Sequence, residues 1–170
     1  MIKLKITIVA ILVIGLSFPG EQLLADYPIG SDVSSIDAIV DAYYEVISGP
    51  VGHDYDAARD RSLHAPQAII TRVTSDGTLQ RHDLATEQIP YKEPYQVGIF
   101  EYEIGRIVED YGNLAHVWST FEIRNTPDGE TVSRGINSIS LYYHENRWWI
   151  ASWSTQAEGE VPLPEKYLKN

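Results

Sequence analysis

The chain contains no cysteine. Its fold must hold without disulfides, and thiolate metal sites, thiol nucleophiles and redox pairs are excluded as its chemistry. Cations are scarce: 13 Lys and Arg stand against 24 Asp and Glu, for a formal net charge of −11 at pH 7. So acidic a surface repels polyphosphate, which argues against nucleic acid and anionic membranes as partners. Internal repeats and low-complexity tracts are missing, as are a G-x-S-x-G elbow, a phosphate-cradling glycine loop and a dinucleotide fingerprint. The 5 histidines, His53, His64, His82, His116 and His144, are scattered without a helical pair, so neither a metal nor a cofactor is expected.

What is present begins with one apolar run over residues 6–18, preceded by Lys3 and Lys5 and followed by Pro19, Gly20 and Ala25. This is the layout of a secretory signal, which places residues 1–25 in a leader cleaved after Ala25 and the protein in the periplasm or outside the cell. A helix over the run would reach only about 20 Å, short of the roughly 30 Å hydrocarbon core, so no stable membrane span is expected after cleavage. A linker over 26–33, a domain over 34–157 and a C-terminal tail over 158–170 complete the division.

Within the domain, Ser34 or Ser35 can cap a helix whose apolar residues Ile36, Ile39, Val40, Tyr43, Tyr44 and Ile47 recur at three- and four-residue intervals. A shorter helix over 54–64 stops before Pro66. The rest reads as sheet: a strand over 68–74 with a turn at Asp76-Gly77, then long runs over 98–110, 113–125, 131–144 and 147–156. The pattern predicts an α+β domain in which helices cover one face of a long antiparallel meander.

This order resembles the nuclear-transport-factor-2-like (NTF2-like) superfamily, which includes SnoaL-like cyclases and ketosteroid-isomerase-like proteins. The likeness is carried by the first helix up to Gly49, by Ser62-Leu63-His64-Ala65-Pro66 before the first strand, and by Arg134-Gly135-Ile136-Asn137 through Arg147-Trp148-Trp149-Ile150 in the last hairpin. Val46-Ile47-Ser48-Gly49-Pro50, Tyr111-Gly112-Asn113-Leu114-Ala115 and Pro164-Glu165-Lys166-Tyr167-Leu168 are similar to a bacterial group of unassigned function. The resemblance implies a strongly curved antiparallel sheet wrapped around the N-terminal helices as a cone-shaped, cystatin-like roll with a cavity inside. It also implies cofactor-independent chemistry, if any.

Strand alternation then selects polar atoms on apolar faces. Ser119 shares a face with Ala115, Val117, Phe121 and Ile123; Asn137 lines up with Ile139 and Leu141; Ser152 lines up with Trp148 and Ile150. A pocket built from Tyr43, Ser119, Phe121, Asn137, Trp148 and Ser152 would suit a small, largely apolar molecule, unless those polar groups merely satisfy the backbone. Proton-transfer candidates are Tyr43 or Tyr44 with Glu103 or His116. Glu101 and Glu103 lie opposite Phe100, Tyr102 and Ile104 and are expected to face solvent or cations. The first strand offers no acid where isomerase-like relatives place one. The leading expectation is therefore an exported pocket protein, against a cyclase, isomerase or dehydratase and against an envelope interaction module with a vestigial pocket. Trp149, Ala151 and Trp153 fall on a second apolar face, which predicts a homodimer through the convex side of the sheet; the alternative cover is the tail around Val161, Pro162, Leu163 and Pro164.

Overall fold

The computed structural model describes residues 29–168. The expected leader over residues 1–25 and its expected cleavage after Ala25 lie outside the described residues. Among the described residues no helix is long and apolar enough to cross a membrane.

Local chemistry sets each helix start. Helix α1 (Ile29–Asp32) leads into α2 (Ile36–Ile47), where Ser35 adopts an extended backbone and its hydroxyl accepts the Ala38 N–H at 3.0 Å. The carboxylates of Asp56 and Asp83 accept the Arg59 and Thr86 N–H groups at the starts of α3 (Ala57–Leu63) and α4 (Leu84–Glu87). Helix α2 ends where Ser48 turns extended and Gly49 bridges to Ile99, just before Pro50, which could not continue it. Its face of Ile39, Val40 and Tyr44 is buried against the sheet. The stretch read as a linker reaches this core: Val33 is buried, and its carbonyl accepts the Trp148 N–H at 2.9 Å.

The strands are β1 (His64–Val73), β2 (Leu79–Asp83), β3 (Phe100–Tyr111), β4 (Leu114–Arg124), β5 (Thr131–His144) and β6 (Arg147–Ala157). They form one sheet in the order β2-β1-β6-β5-β4-β3. Neighbours are antiparallel except β1 and β6, which run parallel, so the sheet is mixed rather than wholly antiparallel. Parallel neighbours need a long crossover, and the whole chain between β1 and β6 supplies it. The β5–β6 turn is tight: Glu145 and Asn146 both take positive φ, as a primed two-residue hairpin requires.

Two bulges decide which side chains meet the helices. On β6 the register steps at Ala151: Leu141 opposes Ile150, but Ser140 opposes Ser152. The inner, helix-facing side of β6 therefore continues with Trp153 and Thr155, while Ser152 turns to the outer face beside Ser140. This corrects the grouping of Ser152 with Ile150 and of Trp153 with Trp149. On β3 the step falls at Ile104, with Glu103 opposite Phe121 and Arg106 opposite Ser119. Glu101 and Glu103 thus share the inner face with Ile123 and Phe121, which corrects their placement away from the core; the cation expected for them is Arg106, paired with Glu103.

The outer face carries Ser138, Ser140, Ser152 and Ser154 between half-buried Trp118, Tyr142 and Trp149. One end of it is covered by the tail, though by Tyr167 rather than by Val161 or Leu163. The Thr120 hydroxyl donates to the Tyr167 carbonyl at 2.6 Å, and the Tyr167 ring lies 5.3 Å from that of Trp118. The approach depends on Gly105, where a Cβ would collide with the Tyr167 carbonyl oxygen. Gly105→Ala is expected to lift the Glu165–Tyr167 turn from the sheet and speed tryptic cleavage after Lys166 by about tenfold or more, with the core intact. Unchanged cleavage would show that the tail does not depend on this contact.

Candidate ligand cavity

A cavity of about 370 Å³ opens between the C-terminal half of α2 and the inner face of the sheet. Ile47, Ile99, Phe121 and Ile123 give it apolar walls, and Tyr43, Arg72, Tyr91, Glu101 and Thr155 bring polar atoms to it. It is not filled by its own side chains. A larger recess of about 780 Å³ lies between the β1–β2 turn and the tail, but Asp76, Glu158 and Glu160 are its only charged lining and it holds no aromatic ring. The inner cavity brings aromatic rings together with a carboxyl and a guanidinium.

Each polar group there is held by its strand neighbours. Tyr43 stacks on Trp153 at 3.7 Å between ring centroids, with Tyr44 edge-on at 5.9 Å. Burial raises the Tyr43 hydroxyl pKa well above the ordinary phenol value, with the nearby Glu101 adding to the rise. Burial likewise raises Glu101 to about 7, against the opposing pull of the Arg72 guanidinium. Arg72 in turn pairs with Glu87, whose other carboxylate oxygen sits 3.0 Å from His82 Nδ1. Burial also raises Tyr91, and Arg72 opposes that shift. The cavity therefore holds a carboxyl that changes charge near neutral pH, facing two neutral phenols and one permanent cation.

Behind the cavity wall runs a line of buried polar side chains. Thr155 donates to Asn137 Oδ1 at 2.8 Å, and Asn137 Nδ2 donates to the Tyr44 hydroxyl oxygen at 3.2 Å. Tyr44 Oη lies 2.6 Å from Ser119 Oγ, and Ser119 donates to Glu103. Arg106 Nε donates to both Glu103 oxygens at 2.8 and 3.0 Å, and its guanidinium also pairs with Asp37 and Asp41 on α2. Ser119, Asn137 and Tyr44 are buried, and burial raises the Tyr44 hydroxyl far above the ordinary phenol value.

Of the residues singled out by sequence, Tyr43 and Phe121 line the cavity. Tyr44, Ser119, Asn137 and Glu103 stand one layer behind it, satisfied by one another. Trp148 packs toward the other end of the core, 5.5 Å from Tyr143. Ser152 and His116 are on the outer face, where His116 Nε2 lies 3.0 Å from Ser138 Oγ. Arg72, Tyr91 and Thr155 were not anticipated, and Glu101, expected to face solvent or a cation, lines the cavity instead. Arg72 left a legible trace, since it alternates with Ile70 on one face of an apolar strand. Among the described residues no cluster of three or more His, Cys, Asp or Glu could hold a metal ion.

Comparison with solved structures places this architecture. A protein of unknown function from Shewanella baltica, itself NTF2-like, superposes with a TM-score of 0.53 at 16% identity, covering 74% of this chain and 92% of its own. The chain has the NTF2-like fold. A cystatin-like protein of unknown function from Nostoc punctiforme matches with a TM-score of 0.55 at 10% identity, over 76% of this chain and 92% of that one. An NTF2-like protein of unknown function from Silicibacter pomeroyi matches with a TM-score of 0.54 at 14% identity, over 72% and 92%. No protein-family model and no curated protein matches the chain. At these identities the NTF2-like likeness is one of fold, and any activity has to be argued from the cavity itself.

Proposed function

We propose that the inner cavity binds one small, largely apolar molecule. The observation that carries this reading is the cavity of about 370 Å³, apolar on most sides, with Glu101 and Arg72 set into it. That volume lies at the small end of the roughly 300–1,000 Å³ typical of ligand sites, enough for one or two fused rings. Export, and pairing of two copies through the outer face, belong to the same proposal. They are supported by the composition of the leader and by Ile69, Tyr142 and Trp149 on strands the tail leaves bare.

A second reading, a cofactor-independent isomerase or cyclase, is favoured by one observation: burial tunes Glu101 to about 7, where a carboxyl can both take and return a proton at neutral pH. Tyr43 and Tyr91, held neutral, would then serve as hydrogen-bond donors to developing oxyanion charge.

Binding is tested with 1-naphthol, followed by quenching of tryptophan emission, since Trp153 lies directly beneath Tyr43. Saturable 1:1 binding with a Kd of about 10–500 μM is expected for a ligand of this size, and Ile123→Trp, which fills the cavity, should abolish it. Binding that is unsaturable, or indifferent to Ile123→Trp, would refute the assignment.

A further inference from the structure

We infer that the cavity selects a ligand carrying a hydrogen-bond donor, an O–H or N–H, which docks on Thr155 Oγ1. This rests on the ligand-binding role proposed for the cavity and assigns it a polarity. The buried line ends at Glu103, 52 positions away in sequence from Thr155. Glu103 is ion-paired with Arg106, and an ionised carboxylate can only accept. Ser119 must therefore spend its single proton on Glu103. The Ser119 oxygen is then free to accept, so across the 2.6 Å contact Tyr44 is the donor.

With its own proton committed, the Tyr44 oxygen can only accept from Asn137, which turns the amide nitrogen toward Tyr44 and the amide oxygen toward Thr155. The opposite amide orientation would leave Tyr44 with two acceptors and one proton. Thr155 accordingly donates to Asn137, which leaves its oxygen with lone pairs only, and Thr155 is part of the cavity lining. Every proton in the line points toward Glu103, so each bond polarises the next in the same sense. Asn137 carries no mobile proton, and the line fixes polarity without conducting protons. The other polar side chains of the cavity are Arg72, which can only donate, the hydroxyls of Tyr43, Thr74, Ser75, Tyr91 and Ser133, and Glu101, which is protonated below about pH 7. Thr155 is the cavity hydroxyl that the buried line fixes as an acceptor.

The test compares 1-naphthol with 1-methoxynaphthalene at pH 5.5, where Glu101 is uncharged. The two probes share one ring system and differ in the donor. The native protein is expected to bind the naphthol about tenfold more tightly or better. Thr155→Val should reduce that advantage to threefold or less, and Thr155→Ser should retain it. Glu103→Gln gives the decisive arm: its amide can keep an oxygen on Arg106 and offer N–H to Ser119, which reverses the line and turns the Thr155 proton into the cavity. There the naphthol advantage should vanish or invert, with methoxynaphthalene binding reporting that the fold persists. Equal affinities in the native protein, or an advantage that survives Thr155→Val, would overturn the assignment and leave the ligand-binding reading standing. Failure of both probes to bind would overturn both.

Discussion

Trp153→Ala is expected to destabilise the domain by about 3–5 kcal/mol, the usual range for truncating a buried tryptophan. Trp153 is 2% exposed and is among the largest fully enclosed side chains of the fold. One face carries the stacked ring of Tyr43 at 3.7 Å, and Tyr44 approaches edge-on at 6.5 Å. Alanine would remove both contacts and leave a void that α2 and β6, each fixed by its own backbone hydrogen bonds, cannot close. The loss should extend to function, because Tyr43 forms a cavity wall only while Trp153 supports it; any folded fraction should bind 1-naphthol far more weakly. Trp149→Ala supplies the contrast. Trp149 lies on the outer face beneath the Arg147 guanidinium, 3.7 Å from its ring centroid, and its removal should cost about 1 kcal/mol or less. Urea denaturation of the two variants measures the difference, and equal costs would mean that the bulge at Ala151 does not separate the two rings.

Glu101→Gln is expected to stabilise the protein at pH 8 by about 1–3 kcal/mol and to have little effect at pH 4. Glu101 titrates at about 7 in the folded chain against an ordinary 4.5. Below about 4.5 both the folded and the unfolded chains hold the proton, and the neutral carboxyl carries no charge penalty. As pH rises from there toward 7 the unfolded chain releases the proton and the folded chain retains it, so stability falls; above 7 both are ionised and the loss is complete. The full gap corresponds to roughly 3 kcal/mol at about 1.4 kcal/mol per pH unit, reduced by whatever water the cavity admits. Glutamine keeps the shape and removes the titration, so the native and variant stability curves should meet at low pH and separate through neutrality. A residue held at such a cost to stability is the kind found where charge is needed for binding or proton transfer.

The parts of the fold that sequence reveals are those governed by unbroken local periodicity. Helix α2 can be placed from Ser35 and the spacing of Ile36, Ile39, Val40, Tyr43 and Tyr44. Strand β4 alternates without interruption, so Ser119 and Phe121 fall correctly on the inner face. Strands β3 and β6 defeat the same reasoning because each carries one extra residue, Ile104 and Ala151, after which every side chain exchanges faces. Neither residue is marked by its chemistry; Gly105 beside Ile104 is the nearest hint. On β3 the apolar residues also mislead, since Tyr102 lies outward near Arg124 while Glu101 and Glu103 turn in. The parallel pairing of β1 with β6 brings Arg72 beside Thr155 across more than half of the domain, and no local pattern encodes it. The candidate site is thus half legible: Tyr43 and Phe121 can be read, whereas Glu101, Arg72 and Thr155 meet only through register.

The most direct test of a cavity that pairs a tuned carboxyl with a small apolar ligand is a ¹³C NMR titration of the Glu101 side-chain carboxyl, with and without 1-naphthol. A midpoint near 7 in the free protein that moves upward with the ligand, as water leaves the cavity, is the predicted result. A midpoint near 4.5 that naphthol does not move would contradict it.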